Sequence, residues 1–453
     1  MADLRKALDW NPETARCGIE MSVLVAGDGG YENPDGARVQ APAGTVVAEM
    51  VLHPSPRSRI RVETALPPPD RWDGRLVGIG NGGAGGKLPS GGDVFAMHLR
   101  RGRAATTTDL GTAPDPLRAG IGNPEAWKDF GHRATHLAMV AGRVLAAAHY
   151  GRAPRFAYFH GGSTGGQQGL SLAQRHPDDC DAVLAAVPAH ARTALHAYFL
   201  WNWQALHHPD GSLLFTQAQE RSWREAVLEA FAPGEKLERA KWRFVSDPRW
   251  TPALLEESIR LAAARDRSLG PEHFAALRRV SAGPAVDAGG RRVHGGIPPA
   301  APLAPSYGNL WIFTWAFGES FSPATFDFQA GFGKYETLLA PDLDAESADL
   351  DAFRARGGKL LVYSGTADSC VPWSATAAWY RRVAARYGAE AAAGFCRYYL
   401  LPGREHFGGP GVQTVRDEFS LLVRWREKGL LPRPVGHGMV PPAFDLPLPP
   451  FAP

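Results

Sequence analysis

The run Gly161-Gly162-Ser163-Thr164-Gly165 sets a serine two residues after one glycine and two before another. G-x-S-x-G is weak alone, because small-residue turns are common. Here an apolar run at 155–159 precedes it and a helical pattern follows to Arg175, which puts Ser163 on a strand-to-helix turn and makes it a candidate nucleophile. Glycines flank such a serine because side chains there block the close approach of strand and helix. The following helix points its positive end and free N–H groups at developing negative charge.

A serine hydroxyl is a weak nucleophile, so it needs a base, and the base needs a group to orient it. On the strand-turn-helix scaffold these follow in the order Ser, acid, His, on loops after later strands. The segment KLLVYSGTAD at 359–368 reads as a strand ending in a loop with Asp368, and CRYYLLPGREH at 396–406 as a second strand ending in a loop with His406. Each has an ordinary reading, a helix-capping aspartate and a loop histidine. Their order and context point instead to the triad Ser163, Asp368 and His406.

Acyl transfer also needs donors for a tetrahedral oxyanion. The N–H of Thr164, next after the nucleophile, is one candidate. The glycine-rich loop Gly80-Asn81-Gly82-Gly83-Ala84-Gly85-Gly86 supplies the other, from Gly82 or Gly83. The same loop carries Gly78-x-Gly80-x-x-Gly83 after a strand, with Asp109 downstream, and so matches a dinucleotide fingerprint. Pro89, Gly91 and Gly92 argue against the helix that would hold a pyrophosphate. A P-loop fails as well, since Lys87 is followed by Leu88 and Asn81 occupies the first glycine position. His132 and His136 stand four apart without the glutamate of HExxH, which favours packing or hydrogen bonding over a metal. His160, three before Ser163, either contacts substrate or fills the cleft wall.

Positioning these groups takes strands alternating with helices. β-rich runs occur at 45–52, 58–66, 75–79, 155–159, 182–187, 359–363 and 396–401, with helical patterns at 134–150, 167–175 and 375–387. That alternation indicates a mostly parallel sheet covered on both faces, its first strands antiparallel. From Pro188 to about Asp349 the alternation fails and seven of the 13 tryptophans appear, so the stretch reads as an inserted helical domain. Within it Trp311 and Trp315 are four apart and share a face if helical; they are the candidate substrate-stacking pair, with buried packing as the alternative. The tail 440–453 is Pro-rich and reads as extended.

The chain has 453 residues, with 44% hydrophobic and 21% charged, the profile of a globular protein of one large or two domains. Lys+Arg 49 against Asp+Glu 46 gives a net charge of +3, too balanced to forecast a nucleic-acid or anionic-membrane partner. No run reaches the ~18 to 20 apolar residues of a membrane helix, and the first fifteen residues lack a signal-peptide core. The expected location is cytoplasmic. Cys17, Cys180, Cys370 and Cys396 form no CxxC, which supports neither zinc nor a disulfide framework.

These segments, with DFGHRATHLAMVAGRVLAAAHYG at 129–151 and GGRRVHGGIP at 289–298, resemble the tannase and feruloyl esterase family over about 44–429. The resemblance implies an α/β-hydrolase with a large lid between the nucleophile and acid segments, cleaving esters of aromatic acids, with Ser163 as nucleophile, Asp368 as orienting acid and His406 as general base. Three features depart from it. Gly162 and Phe407 stand where the family commonly has a bridging cysteine pair, the region 230–250 lacks the usual calcium loop, and no export signal is evident.

The expected architecture is an α/β-hydrolase core at 1–190 and 346–453 with a helical lid at 191–345. The expected function is cleavage of a carboxylic ester, of an aromatic or phenolic acid, through an acyl-enzyme, without metal or cofactor and with a small-molecule ester as partner. No feature of the sequence specifies an oligomeric state. The same triad also suits acyl transfer, lactone or thioester chemistry, and the other class is a catalytically silent binding protein on this fold.

Overall fold

Most of the short apolar runs become one nine-stranded sheet in the computed structural model, which describes residues 2–88, 94–234, 244–245, 247–303, 310–406, 408 and 418–432. In chain order the strands are β1 (Gly18–Val25), β2 (Tyr31–Glu32), β3 (Arg38–Val39), β4 (Val46–His53), β5 (Ile60–Leu66), β6 (Arg75–Ile79), β7 (Ala104–Thr108), β8 (Phe156–Gly162), β9 (Ala182–Ala186), β10 (Lys359–Gly365) and β11 (Cys396–Leu401). β2 and β3 pair as a separate hairpin; the rest lie in the order β1-β4-β5-β7-β6-β8-β9-β10-β11. Pairing is antiparallel from β1 to β7 and parallel from β7 to β11, as the sequence leads one to expect of an α/β-hydrolase core. β1 and β7 escape the sequence pattern. AATTT has little apolar bulk, and β7 is a strand because non-local neighbours β5 and β6 pair with it on both sides.

Residues alternate between two cores with the period of two that a pleated strand imposes. On β8, Ala157 and Phe159 face one core and Phe156 and Tyr158 the other; on β9, Val183 and Ala185 oppose Ala182 and Leu184. The first core lies under the helix Ala134–Tyr150, which is rich in alanine and stops at Gly151, a left-handed residue at φ 69°. It also takes in the helix Thr164–Arg175. The second lies under Val94–Arg100 and Glu418–Lys428.

Between β9 and β10 come the helices Arg192–Leu206, Gln217–Phe231, Pro252–Arg265, Pro271–Ala282, Trp311–Phe317, Phe328–Leu343 and Asp351–Ala355. Gln217–Phe231 is opened by a reciprocal capping box between Thr216 and Gln219. Trp223, Val227, Ile259 and Leu277 build a cluster of their own, joined by Leu195 and Tyr198. Trp311, Phe328, Phe332 and Tyr335, by contrast, pack into the first core. No helix among the described residues is long and apolar enough to cross a membrane.

Candidate active site

Ser163 follows β8 directly and opens the helix Thr164–Arg175 at φ 59°, ψ −118°, a left-handed-side backbone conformation rare for a residue with a side chain. The strain is held by hydrogen bonds on both sides. The Ser163 N–H donates to the Ala186 carbonyl at 2.9 Å, and the Ser163 carbonyl accepts from Gln167 and Ala189, each at 3.1 Å. Close approach explains the glycines: a Cβ on Gly161 would stand 2.3 Å from the Gly165 carbonyl oxygen, and one on Gly166 2.7 Å from that of Ala186.

The glycine-rich loop after β6 is fastened to this turn. Gly165 N–H donates to the Asn81 carbonyl at 2.8 Å, the Asn81 N–H donates to Gln168 Oε1 at 2.7 Å, and the Thr164 hydroxyl donates to the Gly83 carbonyl at 2.7 Å. Asn81 also anchors the loop to β7 by donating to the Thr108 carbonyl at 2.7 Å. Gly83 itself is left-handed at φ 56°, and a Cβ at Gly82 or Gly83 would meet nothing within 4 Å, so both backbones stand open on that side. Thr164, Gly82 and Gly83, separated by some eighty residues of sequence, are neighbours.

The same glycines dispose of the dinucleotide reading. A Cβ on Gly78 would strike Met139 Sδ at 2.3 Å, so that glycine serves sheet-to-helix packing. Asp109 is buried and saturated, accepting from the Arg61 side chain at 2.8 Å and from the Arg61 and Gly111 amides. Pro89, Gly91 and Gly92 lie outside the described residues.

Asp368 and His406 follow β10 and β11, on the same sheet edge as Ser163 because the three strands are parallel neighbours of β9 or of each other. His406 Nδ1 donates to Asp368 Oδ2 at 2.8 Å. The other carboxylate oxygen accepts from the amides of Cys370 and Val371, both at 2.8 Å, and Asp368 is fully buried. The two loops are tied to each other: Gly403 N–H donates to Thr366 Oγ1 at 2.7 Å, and Ala367 N–H to the Arg404 carbonyl at 3.1 Å. Arg224 and Glu405 form an ion pair at 2.6 Å that connects the histidine loop to the helix Gln217–Phe231. Glu405 N–H donates to the Gly408 carbonyl at 2.8 Å, while Phe407 and Gly409 lie outside the described residues.

Two sequence expectations are corrected. Trp311 and Trp315 do share a helix face, with ring centroids 4.6 Å apart, but that face turns inward. Both rings meet Phe130 edge-on, at 5.1 and 5.6 Å, and only 4% and 2% of each residue is exposed. They are core rather than stacking surface, because helical spacing says which residues align and not which side they face. His160 turns from the turn toward the second core, where Nδ1 lies 3.2 Å from His98 Nε2 and the ring stacks on Phe419. Burial, then the neighbouring His160 and arginines, hold the His98 pKa well below the ordinary histidine value.

His136, His176 and Asp179 come together as a group that metal ions favour by type. His136 Nδ1 is 2.7 Å from Asp179 Oδ2 and its Nε2 pairs with Glu13, so both nitrogens are engaged by carboxylates and neither offers a metal a lone pair. Burial lowers the pKa of His136, but these carboxylates outweigh it and hold it above the ordinary value. Hydrogen bonding is the role the geometry gives it. The region 230–250 is partly outside the described residues. No disulfide joins the four cysteines.

Sequence reasoning missed Arg192 and Gln167, which meet beside Thr164: Arg192 donates to Gln167 Oε1 from Nε at 2.7 Å and to Thr164 Oγ1 from Nη2 at 2.9 Å. No local pattern marks an arginine at the head of the first helix after β9.

The sequence model described as tannase and feruloyl esterase matches residues 45–308 and 324–436. An uncharacterized esterase of Xanthomonas campestris pv. campestris is 28% identical over 89% of this chain and 79% of its own length. The mono(2-hydroxyethyl) terephthalate hydrolase of Piscinibacter sakaiensis is 28% identical over 80% of this chain and 72% of its own. Among solved structures, feruloyl esterase B from Aspergillus oryzae superposes with a TM-score of 0.78 at 21% identity, covering 92% of this chain and 88% of that one, and shares its α/β-hydrolase fold.

Proposed function

This chain belongs to the tannase and feruloyl esterase family and is an esterase, and from that premise we propose that it is a serine hydrolase that cleaves esters of aromatic or phenolic acids through an acyl-enzyme. Ser163 Oγ attacks the ester carbonyl while His406 takes its proton at Nε2. Asp368, held by two backbone amides, keeps the other imidazole proton on Nδ1 and stabilises the imidazolium that forms. The amides of Thr164 and of Gly82 or Gly83 receive the oxyanion, an interaction worth about 2.7 to 4 kcal/mol per donor in sites of this kind. His406 returns the proton to the departing alcohol, and then activates water against the acyl-serine.

The observation that carries this reading is the Asp368–His406 hydrogen bond on the sheet edge where Ser163 sits strained at the head of a helix. The aromatic acyl group is inferred from the relatives, which include a terephthalate monoester hydrolase. Selectivity falls to the helical segment between β9 and β10, since the triad and oxyanion donors are indifferent to acyl identity.

The test is Ser163→Ala with circular dichroism as a fold check. Turnover of aryl esters should drop by several orders of magnitude, and an organophosphonate should add to the wild-type protein at Ser163 and not to the variant. A folded variant with near-wild-type turnover would remove Ser163 from the mechanism.

A further inference from the structure

Arg192 is buried at the head of the helix Arg192–Leu206, with 4% of the residue exposed. Its guanidinium meets Gln167 Oε1 from both Nε and Nη2, Thr164 Oγ1 from Nη2, and the Phe130 ring at 5.3 Å from its centroid. Among the described residues none of these hydrogen-bond partners is a carboxylate. A guanidinium taken out of water without a carboxylate in hydrogen-bond contact is costly, and burial, opposed by the charge of the nearby Asp344, draws its pKa down to about 10, still cationic at neutral pH. A fold that needed only packing here would be better served by an aliphatic side chain.

What the cation holds is the residue after the nucleophile. The Thr164 hydroxyl has one proton and two lone pairs. With Arg192 donating to the oxygen at 2.9 Å, the hydroxyl proton is left to go to the Gly83 carbonyl at 2.7 Å. Arg192, Thr164 and Gly83 thus form one directed chain that crosses from the inserted helices, over the helix N-terminus, to the glycine-rich loop. Gln167, which accepts from Arg192, is pinned in turn by donating to the Leu343 carbonyl at 2.6 Å.

We infer that Arg192 is a positioning residue for the oxyanion hole: through the Thr164 hydroxyl it fixes the amide of Thr164 relative to the Gly82–Gly83 arc. This rests on the proposed serine mechanism. Because the pair of amides is needed in the transition state and hardly at all by the ground-state carbonyl, loss of Arg192 should appear in kcat rather than KM.

The experiment compares Arg192→Met, Thr164→Val, Thr164→Ser and the Arg192→Met/Thr164→Val double variant, using an aryl ester and an aryl trifluoromethyl ketone as the oxyanion-forming inhibitor. The expected result is a fall in kcat of about 30- to 300-fold for Arg192→Met with KM within about threefold, and weaker inhibitor binding by a similar factor. Thr164→Val should match it, Thr164→Ser should restore most of the rate, and the double variant should be no worse than the poorer single one. A folded Arg192→Met with unchanged kcat, a loss confined to KM, or losses that multiply in the double variant would overturn the inference. If Arg192→Met does not fold, the two Thr164 variants decide: Val and Ser with equal kcat overturn it. Failure of the underlying mechanism looks different, since then wild type escapes phosphonate labelling or Ser163→Ala stays active, whatever Arg192 does.

Discussion

Gly80 and Gly165 are in backbone contact: a Cβ on Gly80 would lie 2.5 Å from the Gly165 Cα, and one on Gly165 3.0 Å from the Gly80 Cα. The glycine-rich loop after β6, from which the proposed oxyanion donors come, and the turn that carries Ser163 are therefore registered against each other without any intervening side chain. Gly80→Ala should force them apart. The expected outcome is a stability loss of about 1 to 3 kcal/mol in urea denaturation, as for overpacking elsewhere, and a fall in kcat of more than tenfold. An alanine variant with wild-type kcat and midpoint would mean that the contact does not govern the geometry.

Trp315 should behave as a core residue. Its ring lies against the backbone of Gly120, where a Cβ would stand 2.1 Å from Trp315 Cδ2. Trp315→Ala should cost about 3 to 5 kcal/mol of stability while leaving the ratio of kcat/KM for matched aryl and alkyl esters unchanged in whatever fraction stays folded. A shifted ratio in a fully stable variant would return the ring to the substrate.

Glu63 sets a pH dependence. Its carboxylate is buried and accepts from Tyr31. Burial pushes its pKa up to about 7, against the opposing hydrogen bond from Tyr31 and with the charges of Glu49 and Asp35 adding to the rise. An acid whose folded pKa is raised holds its proton more tightly folded than unfolded, so its contribution to stability is present below about pH 4.5 and is lost as pH climbs to about 7. The shift corresponds to about 3 kcal/mol. Chemical denaturation at pH 5 and pH 8 should show Glu63→Gln with a flatter profile than wild type; equal slopes would contradict the assignment.

Neither reductant nor chelator should impair the enzyme. No disulfide joins Cys17, Cys180, Cys370 and Cys396, and Gly162 stands where the family resemblance implies a bridging cysteine. Denaturing alkylation without reductant should add four groups per chain by intact mass. A calcium-restored loss of activity in EDTA, or fewer than four groups, would count against this.

The sheet and its loops were readable because strand runs, turn glycines and the order of Ser163, Asp368 and His406 are local signals strung along one chain. The glycines flanking Ser163 could be explained by close approach, and the contacts at Gly161 and Gly165 give that approach its partners. What could not be read depends on neighbours far away in sequence. β7 exists because β5 and β6 flank it, and Trp311 and Trp315 face inward because Phe130 awaits them. Strand alternation carries His160 to the sheet face covered by Phe419, against the pull of its short distance from Ser163. Arg192 gave no signal, since an isolated arginine acquires meaning only through Thr164 and Gln167.

The cross-links between the acid and histidine loops bear on how this scaffold is to be recombined. Gly365 has no room for a side chain, because a Cβ there would lie 2.2 Å from the Arg404 carbonyl oxygen, and Thr366 and Ala367 bond across to Gly403 and Arg404. A chimera that took β10 with its loop from one homologue and β11 with its loop from another would inherit an aspartate and a histidine in the right places along the chain, yet lose the mutual fit that aims one at the other. The exchangeable module is the pair of loops, transplanted together.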